Sequence, residues 1–99
     1  MVSPGSKSDT SRSAVAIGQR LQLIREIAGV TQTQLARRIR VTQGTCSAWE
    51  SGKRPPGLKI ANALCDAYNV TLDYIYRNNT AGLPHALLTE INRRLYPED

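Results

Sequence analysis

Apolar residues recur at three- and four-residue spacing along most of the chain, and nowhere does the strict alternation of a strand appear. Ile17, Leu21, Ile24 and Ala28 form one such stripe. It predicts a first helix from about Ala14 to Ala28, with Ser13 as N-cap and Gly29 as its stop. Thr31 then caps a second helix, Gln32 to about Ile39, with Leu35, Ala36 and Ile39 facing inward. Arg40 and Val41 form a turn, and Thr42 caps a third helix, Gln43 to about Ser51. Gly52 ends that helix, and Pro55 and Pro56 block an early restart. A fourth helix, about Leu58 to Tyr68, is expected to bury Leu58, Ala61, Leu64, Cys65 and Tyr68, and Asn69 closes it as a left-handed cap. Thr71 caps a short fifth helix, Leu72 to about Arg77. Asn78 to Gly82 reads as a loop. Pro84 suits the first turn of a sixth helix, which ends before Pro97 and carries Leu87, Leu88, Ile91 and Leu95 on one stripe.

The expected fold is therefore all-α. Three segments follow from the pattern: a Ser-rich leader over 1–12, expected to be disordered; a helical domain over 13–78; and a loop with an amphipathic helix over 79–99. Ninety-nine residues suit one small domain.

The third helix has an unusual surface. On a 3.6-residue wheel Cys46, Trp49 and Glu50 share one face, expected to be inward. Gly44, Ser47, Ala48 and Ser51 share the other, which is small throughout. A small outer face suits a helix that lies deep in the DNA major groove while its neighbour braces it; tolerance at a solvent-exposed face would leave the same pattern. At the N-terminal end, the Gln43 amide can pair with the N6 and N7 atoms of adenine. Thr45 and Ser47 can hydrogen-bond a base edge or a phosphate, and the Thr45 and Ala48 methyls can pack on a thymine methyl. Gln32 opens the second helix, where its side chain and the free backbone amides can hold a phosphate. Lys53 and Arg54 follow the third helix and are placed to meet the backbone of a duplex.

Charge is compatible with this picture, although charge alone favours an ordinary solvated face. The net charge is +5, but residues 20–60 alone hold eight basic and two acidic side chains, while residues 61–99 hold three basic and five acidic. A basic block beside an acidic one suits neutralisation of phosphates on one side. The two cysteines, Cys46 and Cys65, are nineteen apart, with no CxxC and a single histidine, His85, which argues against a zinc site. They read as small hydrophobes in a reduced protein. No nucleophile or carboxylate constellation surrounds His85, and no phosphate-cradling glycine loop exists, so neither an enzyme nor a cofactor or small-molecule site is expected. No apolar run approaches the ~18 residues of a membrane span. One Trp, four Tyr and no Phe are too few aromatics for a single-strand stacking surface.

Three segments, TQTQLAR in the second helix, VTQGTCSAWESGKRPP across the third helix and its loop, and NVTLDYIY after the fourth, carry a family resemblance. From about Ile17 to Arg77 the chain resembles the phage-repressor and Cro type of helix-turn-helix domain, also called XRE-like. The resemblance implies a compact five-helix, lambda-repressor-like DNA-binding domain, here with one additional C-terminal helix. It implies a homodimer on a palindromic double-stranded DNA operator, acting as a transcriptional regulator, by default a repressor, in the cytoplasm at the nucleoid. Carried over by position, the base-contacting places are Gln43, Gly44, Thr45, Ser47 and Ala48, and the phosphate-contacting places are Gln32, Thr42, Lys53 and Arg54. The resemblance further implies a structural ion pair between Arg25 and Glu50. Two departures stand out. The family's turn glycine is Arg40 here, which either carries left-handed strain or forces the turn to adjust. A position often filled by a long polar residue is Gly44, so no operator sequence carries over.

The last stripe, Leu83, Leu87, Leu88, Ile91 and Leu95, with Tyr74 and Tyr76 beside it, is the expected dimer contact; folding back onto its own domain is the equal alternative. The rival reading of the whole chain is an antitoxin or adaptor that uses this C-terminal helix to bind a protein partner. RNA is a weaker candidate, because the A-form major groove does not admit a helix.

Overall fold

The computed structural model describes residues 12–98, so the leader expected over 1–12 lies outside the described residues except for Arg12. The fold consists of α1 (Ala14–Ala28), α2 (Gln32–Ile39), α3 (Gln43–Glu50), α4 (Leu58–Tyr68), α5 (Leu72–Arg77) and α6 (His85–Leu95). No strand occurs among the described residues.

Hydroxyl side chains start four of these helices. Ser13 Oγ accepts the Ala16 N–H at 3.0 Å. Thr42 Oγ1 accepts the Thr45 N–H at 3.1 Å, and Thr71 Oγ1 the Tyr74 N–H at 3.0 Å. Thr31 forms a reciprocal box with Gln34, each side chain accepting the other's backbone N–H. Each such cap stabilises its helix by about 1 kcal/mol, a large share for helices of six to eight residues. Left-handed residues close the ends: Gly29, Arg40, Asn69 and Asn78. Pro84 sits one residue before α6, at the N-cap, where its missing N–H costs no hydrogen bond.

The helices meet in one core. Ile17, Leu21 and Ile24 of α1 pack with Leu35, Ala36 and Ile39 of α2, Cys46 and Trp49 of α3, Ala61 and Leu64 of α4, and Tyr74 and Ile75 of α5. Leu83 and Ile91 close it from the C-terminal side, so α6 has one face on its own domain, next to α1. A buried arginine ties the two ends of the domain together: Arg20 donates from Nε (3.0 Å) and Nη2 (2.8 Å) to the Ile75 carbonyl of α5.

Gly18 fixes how closely α1 meets α3. A Cβ there would fall on the Trp49 carbonyl oxygen, well inside contact distance, and 3.0 Å from that of Glu50. Backbone thus rests on backbone, and no side chain separates α1 from the end of α3. Gly52, just beyond α3, presses on Val15 of α1 in the same way.

Some expected core positions are not in the core. Ala28 is exposed, because the stripe of α1 reaches its end there. Leu58 is 60% exposed: it opens α4, and a first-turn side chain leans back toward the loop before the helix. Cys65 and Tyr68 are half-buried, packed against the core from its edge. Tyr74 is fully enclosed and offers no surface to a dimer contact, and Tyr76 is half-buried. The final stripe is split: Leu83 and Ile91 are buried, Leu87 and Leu88 are half-buried, and Leu95 is exposed.

Candidate nucleic-acid interface

Two helices and a three-residue link build the candidate site. Arg40 ends α2 at φ 65°, ψ 46°, and the Val41 N–H reaches back to the Ala36 carbonyl at 2.9 Å. The turn keeps its left-handed residue although that residue is arginine. The strain is about 1 kcal/mol, and the buried Leu35, Ala36 and Ile39 of α2 hold the turn in place against it.

The turn delivers α3 with Cys46 and Trp49 buried, 1% and 3% exposed, and with Gln43 and Gly44 exposed at its N-terminal end. Thr42 is exposed, and Thr45 and Ser47 are half-buried. The Thr42 and Thr45 hydroxyls share a 2.9 Å hydrogen bond. Ala48 departs from the expected small outer face. Only 9% of it is exposed, and its carbonyl accepts the Lys53 N–H at 3.0 Å where the chain leaves α3. Gly44 is in open space: a Cβ there would come no nearer than 3.9 Å, to Thr42 Oγ1. The fold itself does not require glycine at that position.

A polar network runs from α1 to the exposed tip of α3. Arg25 grips Glu50 with two parallel bonds, Nε to Oε2 at 2.7 Å and Nη2 to Oε1 at 3.0 Å. The third guanidinium nitrogen of Arg25 donates to the Val30 carbonyl at 2.9 Å, which anchors the link between α1 and α2. Glu50 Oε1 also accepts Gln32 Nε2 at 3.0 Å, and Gln32 Oε1 accepts Gln43 Nε2 at 2.6 Å. Cys46 Sγ points at Glu50 Oε2 at 3.7 Å. Burial alone would raise the Glu50 carboxyl, but the hydrogen bonds from Arg25 and Gln32 outweigh it and hold the group below its ordinary value. Glu50 in turn reinforces the charge on Arg25. The Cys46 thiol is pushed up to about 11 by burial and the Glu50 charge, so it is a packing group and not a nucleophile.

Lys53 and Arg54 are exposed just past α3. Their loop is pinned at its far end by Tyr76, whose hydroxyl donates to the Pro56 carbonyl at 2.8 Å. Arg37, Arg38 and Arg40 are all exposed, and the Arg38 guanidinium also lies 5.0 Å from the Tyr68 ring centre, where it braces α2 on α4. The structure therefore gathers Gln32, Thr42, Gln43, Gly44 and Thr45 at one end of the α2–α3 pair, with Ser47 in the middle of α3 and Lys53 and Arg54 on the loop that leaves it.

The sequence is similar to those of known proteins. A family profile described as helix-turn-helix matches residues 21–75, more than half of the chain. The chain belongs to this family, in its Cro/C1 or XRE form. As a helix-turn-helix protein it is a DNA-binding regulator, not an enzyme. It is also similar to the HTH-type transcriptional regulator ImmR of Bacillus subtilis (strain 168). The two are 28% identical over 91 residues, covering 86% of this chain and 72% of the relative. No solved structure gives a significant match.

At the edges of the matched segment, residue pattern alone does not reveal the close contact at Gly18 or the loop-pinning role of Tyr76. Gly18 leaves one trace in the sequence: a glycine in the middle of a good helix costs about 1 kcal/mol against alanine, which asks for a reason in close packing. Tyr76 leaves none, because its partner is twenty residues away and is a backbone atom. Among the described residues no helix is long and apolar enough to cross a membrane.

Proposed function

We propose that the chain represses transcription by inserting α3 into the DNA major groove, as a homodimer on an inverted repeat, in the cytoplasm at the nucleoid. The exposed tip of α3 carries this reading: Gln43 stands free of the core, is steadied by Gln32, and is followed by the exposed cations Lys53 and Arg54. Gln43 reads adenine. Gly44 lets the helix backbone approach the base edges, and Thr45 and Ser47 supply hydroxyls. Ala48 contributes the edge of a methyl only. Thr42, Lys53, Arg54 and the first turn of α2 at Gln32 hold phosphates, which sets register without reading sequence.

One copy reads few base pairs, and two copies about one DNA turn (~34 Å) apart give a useful specificity ratio. The regulator similar to this chain supports the transcriptional role. The experiment is selection from a randomised duplex pool followed by sequencing of the bound fraction. An inverted repeat with half-sites about one turn apart is expected. Binding without enrichment would reduce the surface to a phosphate clamp and move the search to a protein partner for α6. In the same assay Arg54→Ala should weaken every duplex alike and lower the salt slope by about one unit.

A further inference from the structure

We propose that Glu50, which touches no DNA in the reading above, is the positioning residue that makes Gln43 prefer adenine to guanine. The inference rests on the assignment of Gln43 as a base reader and adds the reason for its choice of purine.

A glutamine amide has one edge that accepts and one that donates, and nothing in its own chemistry decides which faces outward. Here a charge decides. Glu50 is ionised and can only accept. Its Oε1 lies 3.0 Å from Gln32, so Gln32 must turn its nitrogen toward Glu50 and its oxygen away. That oxygen lies 2.6 Å from Gln43, which must therefore donate from Nε2. Gln43 is left with Oε1 and the second Nε2 hydrogen for a ligand. One acceptor beside one donor complements the N6 and N7 edge of adenine.

If both amides flipped, Gln43 would accept from Gln32 and present two hydrogens outward. Two donors complement the O6 and N7 acceptors of guanine. The flip would aim the Gln32 oxygen at a carboxylate that Arg25 locks in place through two bonds, so it is disfavoured. The relay thus carries the sign of a half-buried charge over two amides to the tip of α3.

The test uses the full chain and two duplexes that differ only by A·T against G·C at the base pair that Gln43 governs. Wild type should favour A·T by about tenfold or more, and Gln43→Ala should lose that ratio. Glu50→Gln should lose most of it as well, by admitting the guanine-reading orientation. Gln32→Met keeps the ion pair and removes the middle amide, so it serves if Glu50→Gln fails to fold. It too should lower the ratio, whatever its effect on overall affinity. In the free protein, the Gln43 side-chain amide resonances should shift in both variants. If Gln43→Ala loses the ratio while Gln32→Met and a folded Glu50→Gln keep it, the relay is wrong and the base reading stands. If Gln43→Ala itself keeps the ratio, the base reading fails and the relay falls with it.

Discussion

The third and sixth helices are seated on the same partner, α1, in two different ways. Helix α3 rests backbone to backbone at Gly18 and is clamped by the two-pronged Arg25–Glu50 pair. Helix α6 rests on side chains alone: Ile91 is buried, with Leu83 just before the helix, and Leu95 is exposed. The charged pairs of α6, Glu90 with Arg93 and Arg94, are local and lie on its outer side, where such pairs contribute little. A helix that must present an amide to a base within a fraction of an ångström needs both contact and polar constraint. A helix that only closes a core does not. The contrast separates the helix proposed to read DNA from the one that covers the core.

The contrast can be broken at several points. Arg25→Ala should have the largest effect, a loss of about 3 kcal/mol or more, because it leaves the Glu50 charge half-buried and without its cation. The loss is pH-dependent. The folded-state value of Glu50 is lowered, so its contribution is complete above the ordinary glutamate range and fades as pH falls through the lowered value. Denaturant melts at pH 7 and at pH 3 should therefore show the gap between wild type and Arg25→Ala narrowing in acid. A gap independent of pH would remove the ion pair from the account.

Gly18→Ala should cost about 2–3 kcal/mol, as the new methyl must push α3 away from α1. DNA affinity measured well below the melting temperature should fall with it, since the seat of the helix proposed to read DNA has moved. Ile91→Ala should cost about 2 kcal/mol by leaving a cavity under α6. Its DNA affinity under folded conditions should stay at the wild-type value for the monomeric half-site. Equal losses of affinity from the two changes would erase the distinction between the helices. Arg40→Gly is the smallest effect and has the opposite sign. Relief of left-handed strain should raise stability by about 1 kcal/mol, less whatever the more flexible unfolded chain takes back. A loss of stability larger than about 1 kcal/mol, beyond what glycine's unfolded-state entropy takes back, would mean that the turn is not strained.

Much of this fold is written in local residue types. Thr31, Thr42 and Thr71 each precede a short periodic run, and each accepts the backbone N–H three residues on. The left-handed closures at Gly29 and Asn69 were equally plain, so helix boundaries could be read to within a residue or so. Errors fell where periodicity outlasts its partner. Ala28 and Leu58 fit the stripe but sit at helix ends, where a side chain can point past the neighbouring element. The candidate site is legible in its residue types and illegible in its connections. A wheel places Cys46 and Trp49 inward correctly but puts Ala48 outside, because a wheel carries no information about what packs beside the helix. The Gln32–Gln43 bond and the Tyr76–Pro56 bond join residues eleven and twenty apart on different elements, and only the packed fold brings them together.

The most direct test is a map of backbone amide shifts on adding the selected duplex to the labelled protein. The largest changes should fall on the first turn of α2 from Gln32, on Thr42 to Ser47, and on Lys53 and Arg54, with α6 unmoved apart from any dimer contact. Changes centred on α6, with the tip of α3 silent, would contradict the account and make the C-terminal helix the working surface.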